Sequence, residues 1–287
     1  MSTFKTEKKI TVTARDGTSY KIMERLGGND KFNYYGVVSD KYPEQSLILK
    51  IVIDKSLNAL LDREAYILSE LTEEAKRVED EYMINHSGSE TKLNYQMGFP
   101  KLIDNFVSNE QDDKRILILG LEISPVLSEI VPINLIVEID KMRVDPKTSV
   151  WILGKLLKII AFAHDRLKCT VGNLDAENIF IVKEFHLVSI FDWSKVLLHP
   201  EQVEKDLVVN ELKNAVKSVI LILGGNPEDG SIPDHEQLEG EGEKYRELLK
   251  TLLINDFESV YDAHHYFYEV VREIWGRKYH PYSTVPI

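Results

Sequence analysis

The sequence predicts an α+β protein of two lobes, with a small antiparallel β-sheet and one helix in the first lobe and mainly helices in the second. Two observations support this fold class. The first hundred or so residues alternate short β-like runs with turn residues. After about residue 124 the apolar residues recur at helical spacing, with one short pair of β-like runs between them. We expect an N-lobe over residues 1–122 and a C-lobe over residues 123–287.

The N-lobe is predicted to be a β-meander that carries one helix. β-branched, aromatic and other apolar residues are concentrated in the runs ITVTARDGTSYKIMERL, YYGVV, SLILKIVI, LIDNFV and RILILGLEI. Between the third and fourth runs, leucines and isoleucines recur at helical spacing in LNALLDREAYILSEL, and Ser56 is expected to cap this helix. Residues 72–98 are mostly polar, which predicts a helix end followed by an exposed loop.

The C-lobe is predicted to be helical, with one small hairpin. A helix is expected over Val150–Leu167, and the apolar runs NIFIV and LVSIF are expected to pair as short strands. Three further helices are predicted in ELKNAVKSVILIL, which Gly224 and Gly225 end, in EKYRELLKTLL and in VYDAHHYFYEVVREIW. The single cysteine, Cys169, has no second thiol to pair with and is expected to be buried and unreactive.

Composition limits the classes of function. The chain has 287 residues, is 43% hydrophobic and carries a formal net charge of −12. An acidic chain without a basic patch argues against nucleic-acid binding, because it repels the phosphate backbone. No run approaches the roughly 18 apolar residues of a membrane span, and MSTFKTEKKITVT lacks the apolar segment of a signal peptide. We therefore expect a cytoplasmic protein that binds neither nucleic acid nor membrane.

Lys50 and Glu64 are candidates for a buried ion pair. Lys50 lies inside the apolar run LILKIV, and Glu64 lies on the apolar stripe of the next helix. A buried ion without a partner costs several kcal/mol, so a strand lysine and a helix glutamate that both point inward satisfy each other. Taken singly, the lysine fits the solvent face of an edge strand and the glutamate fits the margin of its stripe.

Asn178 and Asp192 are candidates for a metal site. Asn178 precedes the run IFIV and Asp192 follows the run LVSIF, so a hairpin would bring the two side chains together. An amide oxygen beside a carboxylate suits Mg²⁺ that also carries phosphate ligands. The alternatives are turn formation for Asn178 and a turn or helix cap for Asp192.

The order of these four residues resembles that of the protein kinase family, over roughly Ser19–Trp275. A strand lysine, a helix glutamate, a catalytic-loop asparagine and an aspartate after an apolar strand follow one another in kinases. The resemblance implies that Lys50 contacts nucleotide phosphates, with Glu64 as its ion-pair partner. It also implies that Asn178 and Asp192 bind Mg²⁺, with Asp192 at the place of the DFG aspartate.

The catalytic loop departs from the kinase pattern. Counting back five residues from Asn178, the position of the catalytic aspartate is occupied by Asn173. An amide does not accept the proton of a substrate hydroxyl, so base catalysis worth about 10²-fold or more is in doubt. Asp175 is the candidate substitute base, although its charge would lie near the γ-phosphate.

Two further departures concern the phosphate loop and the segment after Asp192. In LGGNDKFNYYGVV, Gly27 and Gly28 remain as candidate phosphate-binding positions, but Asn29 and Phe32 replace the later glycines. Trp193 follows Asp192 in place of phenylalanine, and no Ala-Pro-Glu follows. The segments REAYILSEL, SVILILGGNPEDGSIPD and IWGRKYHPYSTVP also resemble a divergent group of kinase-like proteins from bacteria and phages, in which the catalytic loop is often degenerate.

These features favour a pseudokinase that binds Mg-ATP weakly or has lost it, and that acts through a protein partner. The alternative is an active atypical serine/threonine phosphotransferase that uses Asp175 as its base on a protein substrate. A small-molecule kinase of the aminoglycoside phosphotransferase type fits less well, because only Gly172 matches its His-Gly-Asp loop.

Overall fold

The computed structural model describes residues 10–88, 93–123, 126–233, 240–277 and 280–287. Contacts divide the chain into two units, the first comprising Met1–Ser69 and Pro100–Ser128, the second Glu70–Phe99 and Glu129–Ile287. Residues 70–99 therefore group with the helical unit, whereas the sequence predicted one boundary after residue 122. Their hydrogen bonds and ring contacts explain the grouping.

Several contacts join the described part of this range, residues 70–88 and 93–99, to itself and to helix residues of the second unit. Gln96 donates its backbone and side-chain N–H groups to the Glu79 carboxylate at 3.0 and 2.8 Å. The Tyr95 ring stacks on Phe162, with centroids 4.4 Å apart. A Cβ at Gly98 would lie 2.5 Å from a side-chain carbon of Ile159, so this backbone packs directly on that helix.

The first unit is a six-stranded antiparallel sheet with the strand order β1-β2-β3-β4-β6-β5. Its strands are β1 (Thr11–Thr13), β2 (Ser19–Gly28), β3 (Phe32–Val38), β4 (Leu47–Val52), β5 (Lys101–Ser108) and β6 (Lys114–Gly120). Strands β1 to β4 form the predicted meander, and the first predicted run supplies both β1 and β2; after the helix that follows β4 the chain returns at the edge as β5, and β6 pairs between β5 and β4. Strand β4 is buried along its whole length because both of its faces are covered. Leu49 and Ile51 join the core on one face, and the residues between them point to the other.

Helix α1 (Asn58–Asn85) differs from the prediction at both ends. The carboxylate of Asp54, not Ser56, caps the start: it accepts the backbone N–H of Ser56 in a 3-10 turn that precedes α1. The helix also continues about four turns past the apolar stripe, which ends at Leu71. Salt bridges at i,i+3 and i,i+4 spacing stabilise this polar part, among them Lys76–Asp80 at 2.5 Å and Arg77–Glu74 at 2.6 Å.

The second unit consists mainly of helices around two small sheets. The elements are β7 (Ile130–Pro132), α2 (Asn134–Glu138), β8 (Met142–Val144), α3 (Pro146–Phe162), β9 (Ile179–Val182), β10 (Leu187–Ile190), α4 (Lys205–Ile222), α5 (Glu241–Ile254), α6 (Val260–Trp275) and β11 (Thr284–Pro286). Strands β9 and β10 form the predicted hairpin, and β7 pairs with the outer side of β9. Strands β8 and β11 form the other sheet.

Helix α3 is the buried centre of the second unit. It begins one turn earlier than predicted, because the Asp145 carboxylate accepts the N–H groups of Lys147 and Thr148 and Pro146 occupies the first turn. A π-helical turn over Ala163–Leu167 ends it. Cys169 is buried as expected, and burial raises the pKa of its thiol to about 12. Among the described helices none is long and apolar enough to cross a membrane.

Candidate active site

Lys50 and Glu64 form the buried ion pair that the sequence suggested. The Lys50 ammonium donates to Oε1 of Glu64 at 2.9 Å and to Oε2 at 2.6 Å. Both side chains are 0% exposed. Lys50 lies on the face of β4 opposite to Leu49, and Glu64 lies on the face of α1 that covers it. The pair satisfies both buried charges, which neither residue could do alone.

Two aromatic rings also cover the Lys50 ammonium. Phe32 and Tyr34 are on β3, and Tyr34 pairs directly with Lys50 across the ladder. The Lys50 nitrogen lies 4.3 Å from the centroid of the Phe32 ring and 5.5 Å from that of Tyr34. Phe32 is itself 1% exposed. Because Lys50 is wholly buried, a phosphate could reach its ammonium only after side chains around it, such as Phe32, moved.

The turn between β2 and β3 satisfies its own backbone. The Asn29 side-chain oxygen accepts the N–H groups of Lys31 and Phe32, each at 2.9 Å, and the Asn29 N–H donates to the Phe32 carbonyl. A phosphate-binding loop needs such N–H groups free. Gly27 and Gly28 lie at the end of β2, and a Cβ at Gly28 would lie 2.8 Å from the Phe32 carbonyl. Hairpin packing thus accounts for the glycine at position 28.

The hairpin of β9 and β10 brings Asn178 and Asp192 together as predicted. The Asn178 side-chain oxygen accepts the Asp192 N–H at 2.5 Å. Its amide nitrogen donates to the Asn173 carbonyl at 2.7 Å and to the Asp192 carbonyl at 3.2 Å. Both the oxygen and the nitrogen of the Asn178 amide therefore bond to the backbone. These bonds hold the segment from Asn173 to Asn178 against the end of β10.

Asn173 contacts the carboxylate of Asp192 directly. Its amide nitrogen donates to Oδ2 of Asp192 at 3.0 Å, while Oδ1 of Asp192 accepts the backbone N–H of Ser194 at 3.1 Å. Asp192 is 4% exposed. The Asn173 side-chain oxygen is enclosed and has no hydrogen-bond partner among the described residues. A neutral amide thus occupies one side of the carboxylate that the kinase resemblance assigned to metal binding.

Asp175 differs from these residues in being exposed to solvent. Its backbone carbonyl accepts the Asn178 N–H at 2.8 Å and so closes the turn. In the part of the chain that the structure describes, its carboxylate makes no hydrogen bond or ion pair. The side chain is accessible, but the structure gives it no contact with the other candidate residues.

Solved structures that match this architecture include a protein kinase and a kinase domain. The structure of vaccinia related kinase 3 has a TM-score of 0.58 and 14% identity, and the match covers 95% of this chain and 93% of that one. The kinase domain of PknI from Mycobacterium tuberculosis has a TM-score of 0.53 and 11% identity, covering 88% of this chain and 96% of that domain. A double mutant of the same domain has a TM-score of 0.55 and 14% identity, with the same coverage.

The chain has a protein-kinase-like fold. No protein-family model and no curated protein matches it. At identities of 14% or below, the likeness concerns the fold alone, so the site residues of this kinase-like fold must be judged by their own geometry.

That geometry suits Mg²⁺ poorly. Mg²⁺ requires near-octahedral oxygen ligands at about 2.0–2.1 Å. Both oxygens of Asp192 already accept hydrogen bonds, and the Asn178 oxygen accepts a backbone N–H. The described residues contain no cluster of three or more His, Cys, Asp or Glu side chains suited to a metal ion. Each carboxylate oxygen offers about two acceptor positions, so a cation at Asp192 would have to share this carboxylate with the Asn173 amide or displace it.

Glu211 is a buried carboxylate that the sequence interpretation missed. Its Oε2 accepts the Val171 N–H at 3.0 Å, and its Oε1 accepts the Gly172 N–H at 2.6 Å. A ring nitrogen of His164 lies 2.7 Å from Oε2. Glu211 thus orients the segment that leads into Asn173. Its place on the apolar stripe of α4, beside Leu212, was the same clue that identified Glu64.

Proposed function

We propose that this kinase-fold protein is a pseudokinase: it binds Mg-ATP weakly, does not transfer phosphate and acts by binding a protein partner. The observation that carries the proposal is the hydrogen bond from the Asn173 amide to the Asp192 carboxylate at 3.0 Å. An amide at the place of the base does not accept the proton of a hydroxyl nucleophile. The same amide competes with a metal ion for the carboxylate.

The nucleotide-binding part of the proposal assigns roles residue by residue. Lys50, supported by Glu64, would contact phosphates, together with the backbone at Gly27 and Gly28. Bound Mg²⁺ would neutralise phosphate charge. Three features weaken this binding: the Phe32 ring over the lysine, the closed turn after Gly28, and the Asp192 oxygens already engaged. We therefore expect a dissociation constant for Mg-ATP above about 0.1 mM.

The partner is proposed because a kinase fold without phosphate transfer retains binding as its means of action. A formal net charge of −12 favours a protein with a basic contact surface, since complementary charge accelerates association. Such a partner is expected to bind equally well with and without Mg-ATP, and equally to the Asp175→Asn variant. A partner that becomes phosphorylated by the purified chain would contradict the proposal.

The alternative is an active serine/threonine phosphotransferase that uses Asp175 as base. One observation favours it: the Asp175 carboxylate is exposed and makes no hydrogen bond or ion pair with the described residues, so a substrate hydroxyl could reach it. The hydrogen bonds that both Asp192 oxygens already accept argue against it, because phosphate transfer would need this carboxylate to bind Mg²⁺. The Asp175→Asn variant separates the two functions, because only the alternative needs this carboxylate.

Calorimetric titration of ATP, with and without Mg²⁺, tests the nucleotide part. Wild type is expected to bind weakly, and Lys50→Met is expected to abolish that binding. The matched control is Lys55→Met, which removes an exposed lysine of the same unit and should leave binding unchanged. Micromolar binding that depends strongly on Mg²⁺ would contradict the proposed function, because it would require a working metal site at Asp192.

A further inference from the structure

A cavity of about 290 Å³ lies wholly within the second unit, away from Asn178 and Asp192. It is formed by the start of α3, the turn of the β9–β10 hairpin and the end of α6, together with Gly276, Arg277 and His280. Its lining residues are Lys147, Val150, Trp151, His186, Tyr268, Val271, Arg272, Trp275, Gly276, Arg277 and His280. Small-molecule sites begin at about this size and are mostly apolar with a few polar groups.

The aromatic walls of this cavity are held by ring contacts, some with each other and some with neighbours outside the cavity. Trp151 stacks on His186, with ring centroids 4.7 Å apart and planes 2° from parallel. Trp275 packs against Tyr245, with centroids 5.4 Å apart. Tyr268 fits over Gly154, where an added Cβ would lie 2.7 Å from its hydroxyl oxygen. Flat walls held in this way favour a flat, ring-bearing ligand, since aromatic rings stack at such separations.

One polar group at the cavity has no partner. The indole N–H of Trp151 is enclosed and makes no hydrogen bond within the described residues. Buried donors in native proteins are usually paired. This nitrogen is closed off from solvent, so a ligand in the open cavity would meet the indole ring of Trp151 and not its N–H group.

The charges at the cavity are of one sign. None of the eleven described residues that line it is acidic, although the chain contains 47 Asp and Glu residues. Lys147, Arg272 and Arg277 make no ion pair with any described residue. Unpaired cations gathered in a strongly acidic protein favour an anionic ligand, because they concentrate positive potential at one place.

We propose that this cavity binds a small anionic molecule that carries an aromatic ring. The ring packs among Trp151, Tyr268 and Trp275, and the acid group meets Arg272 and Lys147. This site is independent of the proposed nucleotide site, because it shares no residue with it.

The test is calorimetric titration with 2-naphthoate, and with the neutral 2-naphthamide as its matched probe. Wild type is expected to bind 2-naphthoate saturably at one site and 2-naphthamide about tenfold more weakly or worse. Saturating Mg-ATP should not displace 2-naphthoate. Absence of saturable binding, equal affinity for the two probes, or displacement by Mg-ATP would each overturn the proposal.

Three variants locate the binding. Arg272→Gln removes an exposed cation of the cavity, and Trp151→Leu removes one of its aromatic walls. Each is expected to weaken 2-naphthoate binding about tenfold. Arg63→Gln makes the same change of charge on an exposed residue of the first unit and should leave affinity unchanged. Thermal melting confirms that each variant is folded, and equal affinity in all three variants would overturn the assignment.

Discussion

The residue that most changes the chemistry of this kinase-like fold is Asn173. An aspartate there would place a second carboxylate within about 3 Å of Asp192, where two like charges repel unless a cation lies between them. The asparagine side chain instead donates an N–H hydrogen bond to that carboxylate. One amide thus removes the candidate base and satisfies the candidate metal ligand.

The Asn173→Asp variant is therefore expected to become dependent on metal. Without metal it should be less stable than wild type by about 1–3 kcal/mol, because a hydrogen bond is replaced by repulsion. Millimolar Mg²⁺ should raise its melting temperature and leave that of wild type unchanged. Thermal unfolding in EDTA and in Mg²⁺ measures both effects, with Asp175→Asn as the control. Equal Mg²⁺ response of Asn173→Asp and wild type would contradict this account of Asp192.

The Lys50–Glu64 pair offers a second test at the scale of single residues. Lys50→Met leaves Glu64 buried without its partner, which typically costs about 3–5 kcal/mol. The double variant Lys50→Met/Glu64→Leu removes both charges and is expected to recover a large part of that loss. Urea unfolding of the single and double variants measures the coupling. A double variant as unstable as the sum of both single variants would show that the two charges do not stabilise each other.

At the scale of elements, the hairpin of β2 and β3 determines access to the lysine. Its turn uses its own N–H groups, and its first β3 residue, Phe32, lies over the Lys50 ammonium. A glycine-rich turn would leave both the amides and the lysine accessible to phosphate. The turn of this hairpin is stabilised by its own hydrogen bonds, and for that reason it is poorly suited to bind the phosphates of a nucleotide.

The Phe32→Ala variant is expected to bind ATP more tightly than wild type, because removing the ring exposes the Lys50 ammonium. The size-matched control Phe32→Leu keeps an apolar side chain over the lysine and should stay close to wild type. Titration at low temperature is appropriate, since truncation of a buried phenylalanine costs about 3–5 kcal/mol of stability. Unchanged ATP affinity in a folded Phe32→Ala protein would show that this ring is not what limits access.

Sequence patterns predicted the sheet, the hairpin and most helices of this fold because alternation and helical spacing are local properties. The Lys50–Glu64 pair was also predictable, since charges on apolar stripes need partners. Other features depended on tertiary contacts. The polar end of α1 carries no apolar stripe and is stabilised by pairs such as Lys76–Asp80. The position of Phe32 over Lys50 depends on the register between β3 and β4. This register pairs Tyr34 with Lys50, and Phe32 lies on the same face of β3 as Tyr34.

At the scale of the whole molecule, acid stability is expected to depend on His264 in α6. Burial, and then the nearby charges of Lys158 and His265, lower the pKa of this imidazole to about 4, although a hydrogen bond involving the Gly154 backbone opposes the shift. In the unfolded chain the pKa is about 6.5. Between pH 6.5 and 4 the unfolded chain binds a proton that the folded chain does not, so stability falls as pH falls.

This histidine is expected to contribute about 3 kcal/mol to that loss. Melting temperatures of wild type and His264→Gln across pH 4–7 measure it, and the variant should show a flatter profile. His265→Gln removes only the smallest of these causes and should flatten the profile much less than His264→Gln. Parallel profiles for wild type and His264→Gln would show that another group causes the acid loss.

Because the whole chain has a kinase-like fold, phosphate transfer is the property that separates a pseudokinase from an active kinase. The measurement that tests the central claim most directly is transfer of label from γ-³²P Mg-ATP, to the chain itself and to a general protein substrate. The pseudokinase account predicts no transfer by wild type above the level of Asp192→Asn. Transfer by wild type that Asp175→Asn abolishes would contradict it and would establish Asp175 as a working base.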